Sequence, residues 1–253
     1  MPRLVQNYQI FQKIEGGTYG KVYKGVNLLN QRRCAIKCYS QLDDLELMRY
    51  EYNILKDLHH KNIIGTLCYF EQFDKKREKI RGYMVMERGE IDLFEYLEDT
   101  RDFKRVLRYV FDVMQGIQYI HDKNILHGDL KLENVIISKG VAKLVDFGMS
   151  IKMRNPVHFL DYRIGSKDLI PPEVEYNKYC SLASDIWCLG KIIRNIYDKF
   201  AVRRDLPLES LKKIGIQCLQ HNFLQRPTIQ KVIELFNTEF ELYINIRKRR
   251  ISI

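Results

Sequence analysis

The sequence has no window of about 18 consecutive apolar residues, the least that spans a bilayer as a helix, so no membrane partner is expected. Its first residues, Met1-Pro2-Arg3-Leu4-Val5-Gln6-Asn7, also lack the uninterrupted apolar stretch of a signal peptide. No C-x-x-C pair occurs among the six cysteines, Cys34, Cys38, Cys68, Cys180, Cys188 and Cys218. They read as scattered, reduced core thiols of a cytoplasmic or nuclear protein, not as a disulfide framework or zinc site. There is no repeat at a fixed period and no low-complexity or Pro/Gly/Ser-rich linker, so regulatory modules are expected elsewhere or not at all.

What is present is ordinary globular material. The 253 residues are 45% hydrophobic and 29% charged, enough to bury a full core in one large domain or two closely joined lobes. A formal net charge of +10 favours acidic partners, but lysine and arginine are spread along the whole chain. No nucleic-acid recognition motif accompanies the charge, so only nonspecific, salt-dependent binding is expected there. Two basic runs stand out, Lys75-Lys76-Arg77-Glu78-Lys79 and Arg247-Lys248-Arg249-Arg250. They read as a solvated loop and a frayed terminus, with a nuclear-import or anion-binding patch as the alternative for the second.

The first third is strand-like. Tyr8 to Ile14, Gly20 to Val26 and Arg33 to Cys38 carry β-branched and aromatic residues between turn signals. Leu47, Tyr50, Ile54, Leu55 and Leu58 recur at helical spacing and predict a helix from Leu45 to Leu58. Strands are expected again at Ile63 to Phe70 and Gly82 to Glu87, split by the basic loop. From Leu93 onward the pattern is helical. Lys104 to Lys123 is apolar on too broad a face for a surface helix, and a buried one is expected. Val135 to Ser138 and Ala142 to Val145 flank Lys139-Gly140 as a hairpin. Further helices are expected at Leu182 to Phe200, at Leu208 to Gln220 and after Pro227.

Four features carry the chemistry. Glu15-Gly16-Gly17-Thr18-Tyr19-Gly20-Lys21-Val22 lies between two expected strands, where glycines let a hairpin fold closely over phosphates and present backbone N–H groups to them. Alone this is weak, because glycine-rich turns are common. Cys34-Ala35-Ile36-Lys37 follows on the next strand, with Ala35 and Lys37 on one face: a small residue to admit a base and an ammonium to reach phosphates. Glu51, on the following helix, is the natural carboxylate to fix Lys37. His127-Gly128-Asp129-Leu130-Lys131-Leu132-Glu133-Asn134 places an aspartate to orient a hydroxyl, a lysine to neutralise a phosphoryl group and an amide oxygen for Mg²⁺. Asp146-Phe147-Gly148 adds a carboxylate for Mg²⁺, an apolar plug and a glycine hinge.

In this order and spacing the four features resemble the eukaryotic protein kinases over essentially the whole length. The resemblance implies an α+β bilobal fold in a single domain, residues 1–253: a small antiparallel β-rich lobe over 1–88, a hinge at about 87–90 and a larger helical lobe over 90–253. It implies ATP and Mg²⁺ as cofactors and proteins as substrates, with any activating partner unnamed. Asp129 and Lys131 would be catalytic, and Asn134 and Asp146 would hold the metal. Glu15, Gly16, Gly17, Gly20, Lys37 and Glu51 would serve the phosphates. Val22, Ala35 and Ile136 would sandwich the base, the backbones of Glu87 and Gly89 would bond it beside a gatekeeper at Met86, and Asp92 would meet the ribose. Pro171-Pro172-Glu173 resembles the end of an activation segment, so Glu173 would pair with Arg226 and Asp185 would brace the catalytic loop. Lys131 implies serine/threonine specificity.

The chain departs from that pattern in places. Glu15 replaces the first loop glycine, which is expected to weaken ATP binding modestly. Gly128 replaces the arginine that anchors an activation-loop phosphate in many kinases, which predicts little dependence on that modification. Ser166 and Leu169 stand where threonine and tyrosine are commoner. The short stretch from Trp187 to Arg226 argues against the cyclin-dependent and mitogen-activated families, despite the similar Gly-Gly-Thr-Tyr-Gly-Lys-Val loop. Tyr83 to Glu87 and Gly89 to Leu93 look similar to monopolar-spindle checkpoint kinases. A catalytically dead scaffold on the same fold and a small-molecule phosphotransferase remain as alternatives. The complete set of Lys37, Glu51, Asp129, Asn134 and Asp146 weighs against the first. The Pro171-Pro172-Glu173 segment, with Asp185 and Arg226, weighs against the second.

Overall fold

A computed structural model of the chain describes residues 3–17, 20–39, 42–75, 78–161, 164–203 and 205–245. Thr18, Tyr19, Lys76, Arg77 and the basic run at 247–250 lie outside them. Six strands build one antiparallel sheet: β1 (Arg3–Val5), β2 (Tyr8–Gly17), β3 (Gly20–Asn27), β4 (Arg33–Tyr39), β5 (Thr66–Asp74) and β6 (Lys79–Glu87). Their order is β1-β2-β3-β4-β6-β5, with helix α1 (Leu42–Leu55) leaving from β4. Side chains alternate across a strand, so β4 sends Cys34 and Ile36 into an outer cluster with Val5, Ile10, Tyr83 and Val85. Ala35, Lys37 and Tyr39 point the other way.

The rest of the chain is mainly helical. Short strands β7 (Ile91–Asp92), β8 (Ile125–Leu126), β9 (Val135–Ser138), β10 (Val141–Leu144), β11 (Ile151–Lys152), β12 (His158–Phe159) and β13 (Tyr179–Cys180) pair in small ladders among helices. The helices are α2 (Leu93–Asp99), α3 (Phe103–His121), α4 (Pro172–Asn177), α5 (Leu182–Phe200), α6 (Leu208–Cys218) and α7 (Ile229–Asn245). The α+β bilobal class implied by the resemblance is the observed one. Helix α3 buries eleven of its nineteen residues and leaves only Arg105 fully exposed, as its broad apolar face requires. Each fully buried Val, Leu or Ile on it contributes about 1.5–3 kcal/mol.

Three expectations need correction. The helix expected to run to Leu58 stops at Leu55, because the chain turns there through a Leu58 N–H bond to the Leu55 carbonyl and buries Leu58. The strand expected from Ile63 begins at Thr66. Ile63 and Ile64 instead attach to β10, through a parallel bridge to Leu144 and an Ile64 N–H bond to its carbonyl at 3.0 Å. Those apolar residues belong to the helical half's core. The basic loop is also shorter than expected, since β5 runs to Asp74 and β6 starts at Lys79, leaving four residues between them. The six cysteines are free thiols, four buried and two half-buried.

Candidate active site

The inner face of β4 delivers Lys37 into the cleft. Its Nζ donates to Glu51 of α1 at 3.1 Å (Oε1) and 2.8 Å (Oε2), and to Asp146 Oδ1 at 2.7 Å. Burial works against the ammonium charge, but Glu51 and Asp146 outweigh it and hold Lys37 well above the ordinary lysine range. Burial also opposes the Asp146 charge, and Lys37 outweighs that too, leaving the carboxyl below its usual range. Asp146 sits in the left-handed region (φ 61°, ψ 72°), an uncommon backbone for an aspartate and typical of strain kept at functional sites. Phe147 beside it is fully buried and packs 4.7 Å from the His127 ring.

The loop after β8 holds the second cluster. The Asp129 carboxylate accepts from Ser166 Oγ at 2.8 Å (Oδ1) and from Asn134 Nδ2 at 3.0 Å (Oδ2), with Lys131 Nζ 3.1 Å from Oδ2. Lys131 also donates to Ser166 Oγ at 2.8 Å. Asn134 spends its second amide proton on the Asp129 carbonyl at 2.8 Å, which leaves Oδ1 as its acceptor. The loop is braced from α5: Asp185 accepts the His127 and Gly128 N–H groups at 2.9 and 3.1 Å and meets His121 Nε2 at 2.9 Å. His127 Nδ1 accepts from the Asp129 N–H at 3.3 Å, so its proton lies on Nε2, which donates to the Val145 carbonyl at 3.0 Å. Gly128 has φ +82°, and a Cβ there would lie 2.5 Å from the Met149 carbonyl oxygen, so a side chain fits only if Met149 moves.

The segment joining the two halves is fastened to the β9–β10 hairpin. Glu87 accepts from Ser138 Oγ at 2.9 Å and lies 3.1 Å from Lys143 Nζ, and the Glu90 N–H donates to the Ile137 carbonyl at 2.8 Å. Gly89 is pressed against Ile136, whose Cγ2 lies 1.6 Å from where a Cβ would stand. Ala35 and Met86 are register partners on the cleft side, as are Val22 and Lys37. Asp92 uses Oδ1 to cap α2 by accepting the Glu95 N–H at 2.7 Å. The β2–β3 hairpin closes through Gly16↔Lys21 and Gly17↔Gly20, with Glu15 opposite Val22.

The protein kinase domain model matches residues 8–219. The chain belongs to the protein kinase family. It is 28% identical over 206 residues to cyclin-dependent kinase-like 2 of Homo sapiens, covering 76% of this chain and 40% of that protein. It is 26% identical over 230 residues to serine/threonine-protein kinase Nek5 of Homo sapiens (87% and 31%) and 31% over 198 to MAP3K epsilon protein kinase 1 of Arabidopsis thaliana (74% and 14%). The chain thus spans less than half the length of these curated relatives. Their names come from different kinase branches, so the family is fixed and the subfamily is not.

For this kinase domain, the last three motifs read in the sequence meet in one cleft, with Val22 of the first lying opposite Lys37. Three contributors were missed: Tyr39, whose hydroxyl bonds Glu51; Ser166, which links Asp129 to Lys131; and the Glu87 side chain, which grips the hairpin. Tyr39 carried a usable signal, since it shares the face of Ala35 and Lys37. Ser166 stood out in the sequence only as a replacement for the commoner threonine, and the Glu87 side chain carried no signal, because its partners are distant in sequence.

Proposed function

We propose that the chain is a serine/threonine protein kinase that transfers the γ-phosphate of ATP to protein hydroxyls. The observation that carries this reading is the Lys37–Glu51 ion pair, which protein kinases need for phosphoryl transfer, closed beside the Asp146 carboxylate. Lys37 would grip the nucleotide phosphates under the Glu15–Gly20 hairpin. The Glu87 carbonyl and Gly89 N–H would bond the base between Val22, Ala35 and Ile136, and Asp92 keeps Oδ2 for the ribose.

The donor set fits Mg²⁺. Asp146 and Asn134 Oδ1 offer hard oxygen ligands, and Mg²⁺ characteristically takes one or two from the protein and the rest from phosphate and water. Bound there, the ion would neutralise phosphate charge. Asp129 would orient the substrate hydroxyl and accept its proton, while Lys131 offsets charge on the transferred group. The Lys131–Ser166–Asp129 network supports serine/threonine specificity.

Turnover is proposed to need little activation-loop phosphorylation. Gly128 offers no cation to a phosphate, and the Lys37–Glu51 pair is already closed. Phosphoamino-acid analysis of a protein labelled from radioactive ATP tests the specificity: phosphoserine and phosphothreonine are expected, and phosphotyrosine alone contradicts it.

A further inference from the structure

Helix α1 must be held close for Glu51 to reach Lys37, and the structure contains an unusual device for this. Tyr39 lies on the same face of β4 as Lys37, and its hydroxyl donates to Glu51 Oε2 at 2.9 Å. Both residues are sealed from solvent, Tyr39 at 2% exposure and Glu51 at 1%, so water cannot stand in for the bond. Burial and the neighbouring Glu51 both raise the phenol's pKa, so it remains a donor throughout the physiological range. The Lys37 ammonium also lies 5.4 Å from the Tyr39 ring centre.

Two glycines shape this corner, Gly82 clearing room for α1 and Gly20 for the Tyr39 ring. Gly82 is the register partner of Tyr39 on β6, and a Cβ there would meet Leu45 Cδ2 at 2.7 Å and Met48 Sδ at 2.9 Å. Its absence lets α1 settle directly onto the sheet, with Leu45 and Met48 buried. On β3, a Cβ at Gly20 would lie 3.2 Å from Tyr39 Cζ, so the ring also supports the base of the phosphate hairpin. The far side of α1 is tied down by Tyr50, whose hydroxyl donates to the Ser150 carbonyl at 2.9 Å.

We propose that Tyr39 is a positioning residue: its hydroxyl orients Glu51, and through it Lys37, so that α1 is docked for catalysis by the sheet itself. This rests on the kinase reading above. The bond from a neutral donor to a buried carboxylate is of the stronger kind. Removing it should loosen the ion pair without emptying the core, because the ring stays.

The test compares wild type with Tyr39→Phe, Glu51→Gln and the double variant of the full chain. Tyr39→Phe is expected to lower kcat roughly ten-fold with the protein-substrate KM unchanged, and to lower the melting temperature by several degrees, because a buried carboxylate loses a donor that water cannot replace. On the Glu51→Gln background it should lower kcat no further, since its effect passes through Glu51. A wild-type kcat in Tyr39→Phe, or an equal extra loss on that background, overturns the proposal. Hydrogen exchange of the α1 amides gives a second measure, expected to quicken in Tyr39→Phe. If the wild type itself transfers no phosphate, the kinase reading fails. Exchange still decides the latch in that case, and unchanged α1 protection overturns it.

Discussion

Arg226 and Glu173 meet as a two-pronged, fully buried pair, Nη1 to Oε1 at 2.8 Å and Nη2 to Oε2 at 2.7 Å. The guanidinium also donates to the carbonyls of Gln220 (2.8 Å) and Ala183 (2.9 Å) and lies 5.0 Å from the Trp187 ring centre. Ser184 Oγ donates to Glu173 Oε1 at 2.7 Å. With Nη2 also donating to the His221 carbonyl at 3.3 Å, all five guanidinium N–H groups have acceptors. The start of α4 is thereby fastened to α5 and to the residues that follow α6.

Removing one partner leaves the other charged and buried. Glu173→Ala is therefore expected to lower stability by about 3–5 kcal/mol, read as a shift in the urea midpoint at constant slope. A loss below about 1 kcal/mol would mean that water reaches the guanidinium.

Gly89 has no room for a side chain beside Ile136. Gly89→Ala must push Ile136 or the connecting segment aside, where the base is proposed to lie. The expected result is an ATP KM raised about ten-fold with kcat changed less, measured by steady-state kinetics. An unchanged KM would place the nucleotide elsewhere.

The pH dependence of the Lys37–Asp146 pair follows from the direction of each shift. Asp146 is depressed, so its stabilisation is complete above the ordinary carboxylate value of about 4 and fades as pH falls through its lower folded value. Lys37 is raised, so its stabilisation is complete below the ordinary lysine value of about 10.4 and fades only as pH rises through its higher folded value. The stability difference between wild type and Asp146→Asn should stay flat from about pH 5 to 9 and shrink below about pH 4. A slope between pH 5 and 7 in denaturation experiments would contradict this.

Phosphatase treatment of the purified chain is expected to leave its rate within about two-fold, because no side chain at position 128 awaits a phosphate. A collapse in rate would show that another cation takes that role.

Much of this was legible in the sequence because the chemistry is local there. Ala35 and Lys37 share a face by strand parity, and the spacing from Asp129 to Asn134 survives as one hydrogen-bonded turn. The long strands and α3 announced themselves by period. The two- and three-residue strands did not, since β8, β11, β12 and β13 are too short to show alternation and exist only through their partners. Asp92 looked like a ribose contact, and its use as the α2 cap was not drawn from the same residue. The links Tyr50–Ser150 and Glu87–Ser138 join residues whose types suit many other places, and only the folded distance selects them.

The central claim is tested most directly by radiolabelled phosphate transfer from ATP-Mg²⁺ to generic protein substrates, wild type against Asp146→Asn. Transfer onto serine or threonine by the wild type, falling a hundred-fold or more in the variant, is the predicted result. A wild type that binds ATP yet transfers no more than the variant would contradict it and leave a scaffold on a kinase fold.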